Sequence, residues 1–303
     1  MNGEIINKSK AFLHLIRIKN LAFLLFLQIS LYWLAILHSD VKSGAFLSFI
    51  FALAIPSFLI GSFGNTINDY LDFDSDLNNQ KRSAFKGQIS KMVIHQSSTY
   101  LGILAIVSIV LSGIITGSWA ISSCLMLSLL SLFYYSKRLK CTSIIGNILI
   151  SFLAGLSIFL PHYLYTTQNE QSNFSNEYEI FIHGFVFFVF IITLIREIVK
   201  DLEDIKGDTA QKCNTLAVSK GESFAKNIAL ALALITIIIL MSWAQNFSMI
   251  MNGYIMLFSM FPLMLISGRI VKSKDFGQIS NDLKILMMAS SLLIFIFHFT
   301  HQS

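Results

Sequence analysis

Charge is scarce in this sequence. Asp, Glu, Lys and Arg make up 13% of its 303 residues, against roughly 25% in soluble domains. Proline is rarer still. Pro56, Pro161 and Pro262 are the only three, so the apolar runs lack the paired Gly/Pro breaks of discontinuous transporter helices. The three cysteines, Cys124, Cys141 and Cys213, share no C-x-x-C spacing, and neither a disulfide framework nor a zinc site is expected of them. The seven histidines are scattered without H-E-x-x-H pairing, and each reads as structural. A secretory signal is not expected either: Met1 to Asn20 is polar and basic, and no small-residue cleavage site follows the first apolar run. No RNA- or DNA-binding motif is present, and the net charge of +5 gives little reason to invoke nucleic acid.

What the chain has is apolar length. Hydrophobic residues make up 54% of it, and the mean hydropathy of +0.67 marks an integral membrane protein. Crossing a ~30 Å hydrocarbon core takes about 20 residues. Nine such runs fit, near 20–38, 44–67, 94–116, 118–135, 143–165, 178–197, 223–245, 252–271 and 280–298. Only helices satisfy their own backbone in lipid, so these are predicted helices. The basic residues test that layout. With the connections numbered alternately, 21 of the 22 Lys and Arg lie on one side and only Lys42 on the other. By the positive-inside rule the crowded side is cytoplasmic. The expectation is an all-α polytopic protein with nine transmembrane helices, a cytoplasmic N-terminus and one domain over 1–303.

The most informative stretch is Asn68-Asp69-Tyr70-Leu71-Asp72-Phe73-Asp74-Ser75-Asp76, at the cytoplasmic end of the second run. Asp69, Asp72 and Asp76 stand at i, i+3 and i+7, a spacing that stacks three carboxylates on one helical face. Asp74 lies about 140° around the helix from Asp69 and is left out. Like charges so placed repel, more so at a membrane edge, and such a stripe needs a cation. The same spacing recurs at the cytoplasmic end of the sixth run, as Asp201, Asp204 and Asp208 after Lys200. A single acidic cluster commonly caps a helix or hydrates a loop. Two with one spacing on one membrane face are a stronger signal.

Carboxylates without histidine or thiolate partners suit a hard cation, Mg²⁺ before Zn²⁺. Six facing carboxylates would hold Mg²⁺ ions bridging a diphosphate. Arg82, Lys86, Lys140, Arg196 and Lys200 are candidates to neutralise the remaining phosphate charge, Arg196 and Lys200 foremost, although most of the 21 basic residues simply set orientation. Such a site would ionise an allylic diphosphate, with Lewis-acid withdrawal of electrons from the leaving group and fixed charges stabilising what develops.

At these residues the sequence resembles the UbiA superfamily of intramembrane prenyltransferases. Asn68, Asp69, Asp72 and Asp76 match its N-D-x-x-D-x-x-x-D pattern, and Asp201, Asp204 and Asp208 match the second. Also similar are Tyr135-Ser136-x-x-Leu139-Lys140 followed by Gly146-Asn147, and the Arg17-x-x-Asn20 opening of the first helix. The resemblance spans nearly the whole chain and implies nine helices with the N-terminus inside. It implies that the six aspartates bind Mg²⁺ and diphosphate, assisted by Asn68, Arg82, Tyr135, Lys140 and Lys200. One departure stands out: Asn78-Asn79-Gln80-Lys81-Arg82-Ser83-Ala84 lacks both prolines of the family's Asn-Arg-Pro-x-Arg-Pro segment, and Arg82 matches its second Arg only with one residue missing. The stretch from Arg196 to Asp208 looks most like the geranylgeranylglyceryl phosphate geranylgeranyltransferase branch, which alkylates a glycerol hydroxyl of a phospholipid precursor.

The expected partners are therefore an isoprenyl diphosphate, a lipophilic acceptor and membrane lipid, with Mg²⁺ as cofactor and the active site on the cytoplasmic side of the cell membrane. An alternative is prenylation of an aromatic ring in a quinone or related pathway. An ion-coupled transporter is an alternative of another class, against which the acidic clusters lie at helix ends on one face. A silent scaffold is a third, and all six matching aspartates argue against lost chemistry.

Overall fold

A computed structural model of the chain describes residues 10–41, 46–74 and 89–301. Among the described residues, nine helices are long and apolar enough to cross a membrane. They are α1 (Ile18–His38), α2 (Phe46–Leu71), α3 (Lys91–Thr116), α4 (Trp119–Lys137), α5 (Ile145–Gln168), α6 (Asn176–Glu203), α7 (Glu222–Ala244), α8 (Met249–Lys272) and α9 (Phe276–Thr300). The nine predicted runs match one for one. The largest difference is at α6, which continues six residues beyond the predicted 197 because Ile198, Val199 and Leu202 are buried and extend its apolar face.

The described residues form two compact units, one within 1–29 and 45–140, the other within 30–44 and 141–303. In the first, α2 packs against α3 and α4. A π-helical stretch, Ile50–Ala54, interrupts α2 just before Pro56. Proline has no N–H to give the carbonyl four residues back. That carbonyl, on Ala52, accepts instead from Ser112 Oγ on α3 at 2.6 Å. The same solution recurs in the second unit. Met256–Met260 is π-helical before Pro262, and the Phe258 carbonyl accepts from Ser290 Oγ on α9 at 3.1 Å. In lipid there is no water to meet a freed carbonyl, so a neighbouring serine must.

The second unit is built around α6, which packs against α5, α7 and the first part of α9. Its buried positions Phe181, Phe185, Phe188, Ile192, Ile195, Val199 and Leu202 follow alternating steps of four and three, the seam spacing of left-handed helix packing. On α7, Ala225, Ala229 and Ala233 are fully buried, a small-residue stripe that lets backbones approach. Trp243 closes the same helix by donating from Nε1 to the Ile180 carbonyl at 3.0 Å. It does so across Gly184, where an added Cβ would lie 2.1 Å from that nitrogen.

The cysteine expectation is corrected here. Cys141 and Cys213 form a disulfide with a Cα–Cα distance of 4.5 Å, across a sequence separation of 72. Local spacing could not reveal it, because helices α5 and α6 lie between the two. Cys141 and the segment after Asp208 are brought together within the second unit, where Asn214 N–H also donates to the Cys141 carbonyl at 2.9 Å.

Candidate active site

The first motif sits at the end of α2, whose last helical residue is Leu71 and whose C-cap is Asp72. Arg17 Nη2 donates to Asp69 Oδ1 at 3.3 Å. Arg17 lies just before α1 with φ at 56°, a left-handed conformation unusual for a residue with a Cβ and frequent at functional positions. The chain there is fastened by Asn65 Nδ2, which donates to the Ile16 carbonyl at 2.9 Å. Asp72 is held from two sides: Asn68 Nδ2 donates to its Oδ2 at 3.1 Å, and the Lys140 ammonium rests on Oδ1. Lys140 and Asp72 are only 23% and 14% exposed, so this ion pair is far less screened than a surface pair.

Asp74, set aside on helical phase, pairs elsewhere. Lys91 contacts it while lying over the Tyr70 and Phe73 rings, 5.8 and 5.9 Å from their centroids. Tyr135 is half-buried two residues before the end of α4. Asp76, Arg82 and Lys86 lie outside the described residues.

The second motif straddles the end of α6. Asp201 is in the last turn, Asp204 is the C-cap, and Asp208 belongs to a separate short helix, Ile205–Ala210. The expected single-face stripe is thus broken at a helix end. A helix C-terminus carries partial negative charge, so continuing it under stacked carboxylates is doubly unfavourable. Asn147 Nδ2, on the first turn of α5, donates to Asp201 Oδ2 at 2.8 Å. Thr215 Oγ1 donates to Asp208 Oδ2 at 3.1 Å, and the Asp208 carbonyl accepts from Cys213 N–H at 2.9 Å. Arg196 and Lys200 both engage Glu197, a buried carboxylate one turn before Asp201 on the same face. Lys200 contacts its Oε1, and Arg196 Nη1 lies 3.6 Å from the same atom. Arg196 Nε also donates to the Ser280 carbonyl at 3.2 Å.

The structure thus adds Arg17, Asn147, Glu197 and Thr215 to the expected residues. The signals for Arg17 and Asn147 were in the sequence, in the family-like Arg17-x-x-Asn20 and Gly146-Asn147. Glu197 lies inside the Arg196–Asp208 stretch that carries the branch resemblance, four residues before Asp201, but the resemblance gives it no role of its own; nothing local marks Thr215.

The donor set fits Mg²⁺. Among the described residues of the two motifs it is carboxylate and amide oxygen, with no thiolate or imidazole. Among the described residues no three His, Cys, Asp or Glu converge as a ready cage. Mg²⁺ does not need one, since it keeps waters and phosphate oxygens as ligands.

A family model, that of the UbiA prenyltransferases, matches residues 21–292. The chain belongs to the UbiA prenyltransferase family. It is an integral membrane prenyltransferase. Among curated UbiA relatives, the digeranylgeranylglyceryl phosphate synthase of Methanobrevibacter smithii is 28% identical over 79% of this chain and 82% of its own length. Those of Methanothermobacter thermautotrophicus and Methanosphaera stadtmanae are each 34% identical, over 57% and 60% of this chain and 56% and 61% of their own lengths. In the last two cases the alignment spans less than two thirds of the relative. The fold is shared with a solved digeranylgeranylglyceryl phosphate synthase, at a TM-score of 0.66 and 24% identity, covering 96% of this chain and 98% of the other. It is shared also with a UbiA homologue from Archaeoglobus fulgidus bound to GPP and Mg²⁺, at a TM-score of 0.62 and 15% identity, covering 94% and 98%.

Proposed function

We propose that this chain, working as one domain over 1–303, transfers a geranylgeranyl group from its diphosphate to the free hydroxyl of a glyceryl phosphate ether-lipid precursor. The reaction takes place on the cytoplasmic side of the cell membrane. The enzyme is a Mg²⁺-dependent prenyltransferase. One observation carries the reading: two D-x-x-D-x-x-x-D segments end α2 and α6, and Asp69, Asp72, Asp201 and Asp208 are each held by a dedicated donor. The names of the curated relatives support the glyceryl phosphate acceptor.

When bound, Mg²⁺ supplies Lewis-acid withdrawal of electron density from the leaving diphosphate. The chain's own residues supply the rest. Asp69, Asp72, Asp76, Asp201, Asp204 and Asp208, with the Asn68 amide, offer the hard oxygens. Arg82, Tyr135, Lys140, Arg196 and Lys200 steady the diphosphate oxygens as the C1–O bond of the prenyl chain breaks. Apolar helix faces keep water from the allylic cation. The acceptor oxygen then bonds to C1 and gives up its proton.

The test is an acceptor screen. Purified protein in lipid nanodiscs receives Mg²⁺, labelled geranylgeranyl diphosphate, and either geranylgeranylglyceryl phosphate or 4-hydroxybenzoate. An ether product with matching diphosphate release is expected from the first acceptor. Preference for the aromatic would move the enzyme to ring prenylation. Asp72→Asn and Asp204→Asn should insert normally and turn over nothing. Full activity in either variant, or in excess EDTA, would sink the metal–diphosphate assignment.

A further inference from the structure

Asp201 is gripped differently from its counterparts in the first motif. Asp69 and Asp72 receive cations, the Arg17 guanidinium and the Lys140 ammonium, the latter beside the Asn68 amide. Asp201 receives a neutral amide, Asn147 Nδ2 at 2.8 Å. Asn147 is buried at 4% exposure where α5 and α6 pack, between Gly146 and the apolar Ile148. An amide there that met no partner would destabilise the packing, and a leucine of similar size would fill the space without that penalty. The fold spends a polar residue on a packing position, and its side chain reaches the carboxylate 54 residues away.

The local electrostatics say what that contact does. Asp201 stands in the last turn of α6, where the helix end repels a carboxylate. Glu197 lies one turn before it and Asp208 follows in the same motif, adding like charge that the Lys200 ammonium offsets only in part. A free side chain would turn away from them. Asn147 pins one oxygen. It is the third residue of α5, whose N-terminal end favours negative charge. A carboxylate has about four lone-pair sites, and one amide hydrogen bond takes one of them. A lysine in the same place would oppose an incoming divalent cation; the amide fixes the carboxylate and leaves its charge whole.

We propose that Asn147 is a positioning residue: it orients the Asp201 carboxylate to receive Mg²⁺ without neutralising it. This rests on the metal–diphosphate reading above. Partners that orient a metal ligand typically change metal affinity by roughly 10–100-fold when removed.

The experiment reads metal uptake apart from turnover. Purified wild type is titrated with Mg²⁺ in the presence of inorganic diphosphate, and thermal stabilisation is followed by nanoscale fluorimetry. Asn147→Leu should melt near the wild-type temperature without metal, yet need about tenfold or more Mg²⁺ for half-maximal stabilisation. The half-saturating Mg²⁺ for turnover should rise in step. Asn147→Ala removes the donor without adding bulk and carries the same expectation should the leucine variant fail to insert. In an Asp201→Asn background, Asn147→Leu should add little, because the residue acts through that carboxylate. A wild-type Mg²⁺ requirement in the Asn147 variants overturns the inference, as does an undiminished effect without Asp201. A wild type that shows no Mg²⁺-dependent stabilisation overturns the metal–diphosphate reading itself.

Discussion

At the scale of single residues, Lys140 is the cation whose placement matters most in the first unit. Its ammonium rests on Asp72, whose other oxygen is held by Asn68. A partly buried pair falls between an exposed one, at about 0–1 kcal/mol, and a buried one, where removing a partner costs about 3–5 kcal/mol. Lys140→Met should therefore lower thermal stability modestly while raising the KM for prenyl diphosphate about tenfold or more, if the proposed charged contact to phosphate is what it supplies. Steady-state kinetics over a range of prenyl diphosphate concentrations decides it; an unchanged KM would place Lys140 outside the diphosphate site. Arg17 differs in kind. Its left-handed backbone and its contact to Asp69 join a conformational constraint to a charge.

At the scale of elements, α2 and α8 solve one problem in one way. Each has a proline just after a π-helical stretch, and each freed carbonyl is met by a serine from the next helix. Ser112→Ala would leave the Ala52 carbonyl without that donor inside an apolar helix pair. The expected loss is about 0.5–1.5 kcal/mol, the range of interhelical hydrogen bonds measured in folded membrane proteins. Refolding or thermal unfolding in matched detergent reads it, and an unchanged melting temperature would mean that water or backbone relaxation meets the carbonyl instead. Gly184→Ala should be worse than Ser112→Ala in the same assay. Its methyl would collide with Trp243 Nε1, which is committed to the Ile180 carbonyl, so either the indole or the α6–α7 contact must shift.

At the scale of the molecule, the Cys141–Cys213 bridge ties the turn before α5 to the segment after the second motif. Chain entropy for a loop of 72 residues gives about 4 kcal/mol in a soluble protein. Here the gain should be smaller, because α5 and α6 cross the membrane in the unfolded ensemble too and already limit how far their ends separate. Cys213→Ser, or treatment with a dithiol reductant, should lower the melting temperature and loosen the segment carrying Asp208 and Thr215, read as faster amide exchange over 208–215. Equal exchange in reduced and oxidised protein would show that the Thr215–Asp208 and Asn214–Cys141 hydrogen bonds hold the segment unaided.

The number and placement of the helices were legible in the amino-acid order because the solvent imposes them: about 20 apolar residues per crossing is a local property. The two aspartate motifs were legible for a related reason. Clustered carboxylates at the ends of apolar runs stand out against a background so poor in charge, and their spacing repeats. What the order did not disclose is which donor holds which carboxylate. Arg17 meets Asp69, Lys140 meets Asp72, and Asn147 meets Asp201 across separations of 52, 68 and 54 residues, and only helix packing makes such residues neighbours. The same holds for Cys141 with Cys213 and for the serines that serve Ala52 and Phe258. The breaks within the motifs also waited for the fold. A helical spacing says where three carboxylates would stand on a continuous helix, but the helix dipole and the repulsion between them decide where the helix stops.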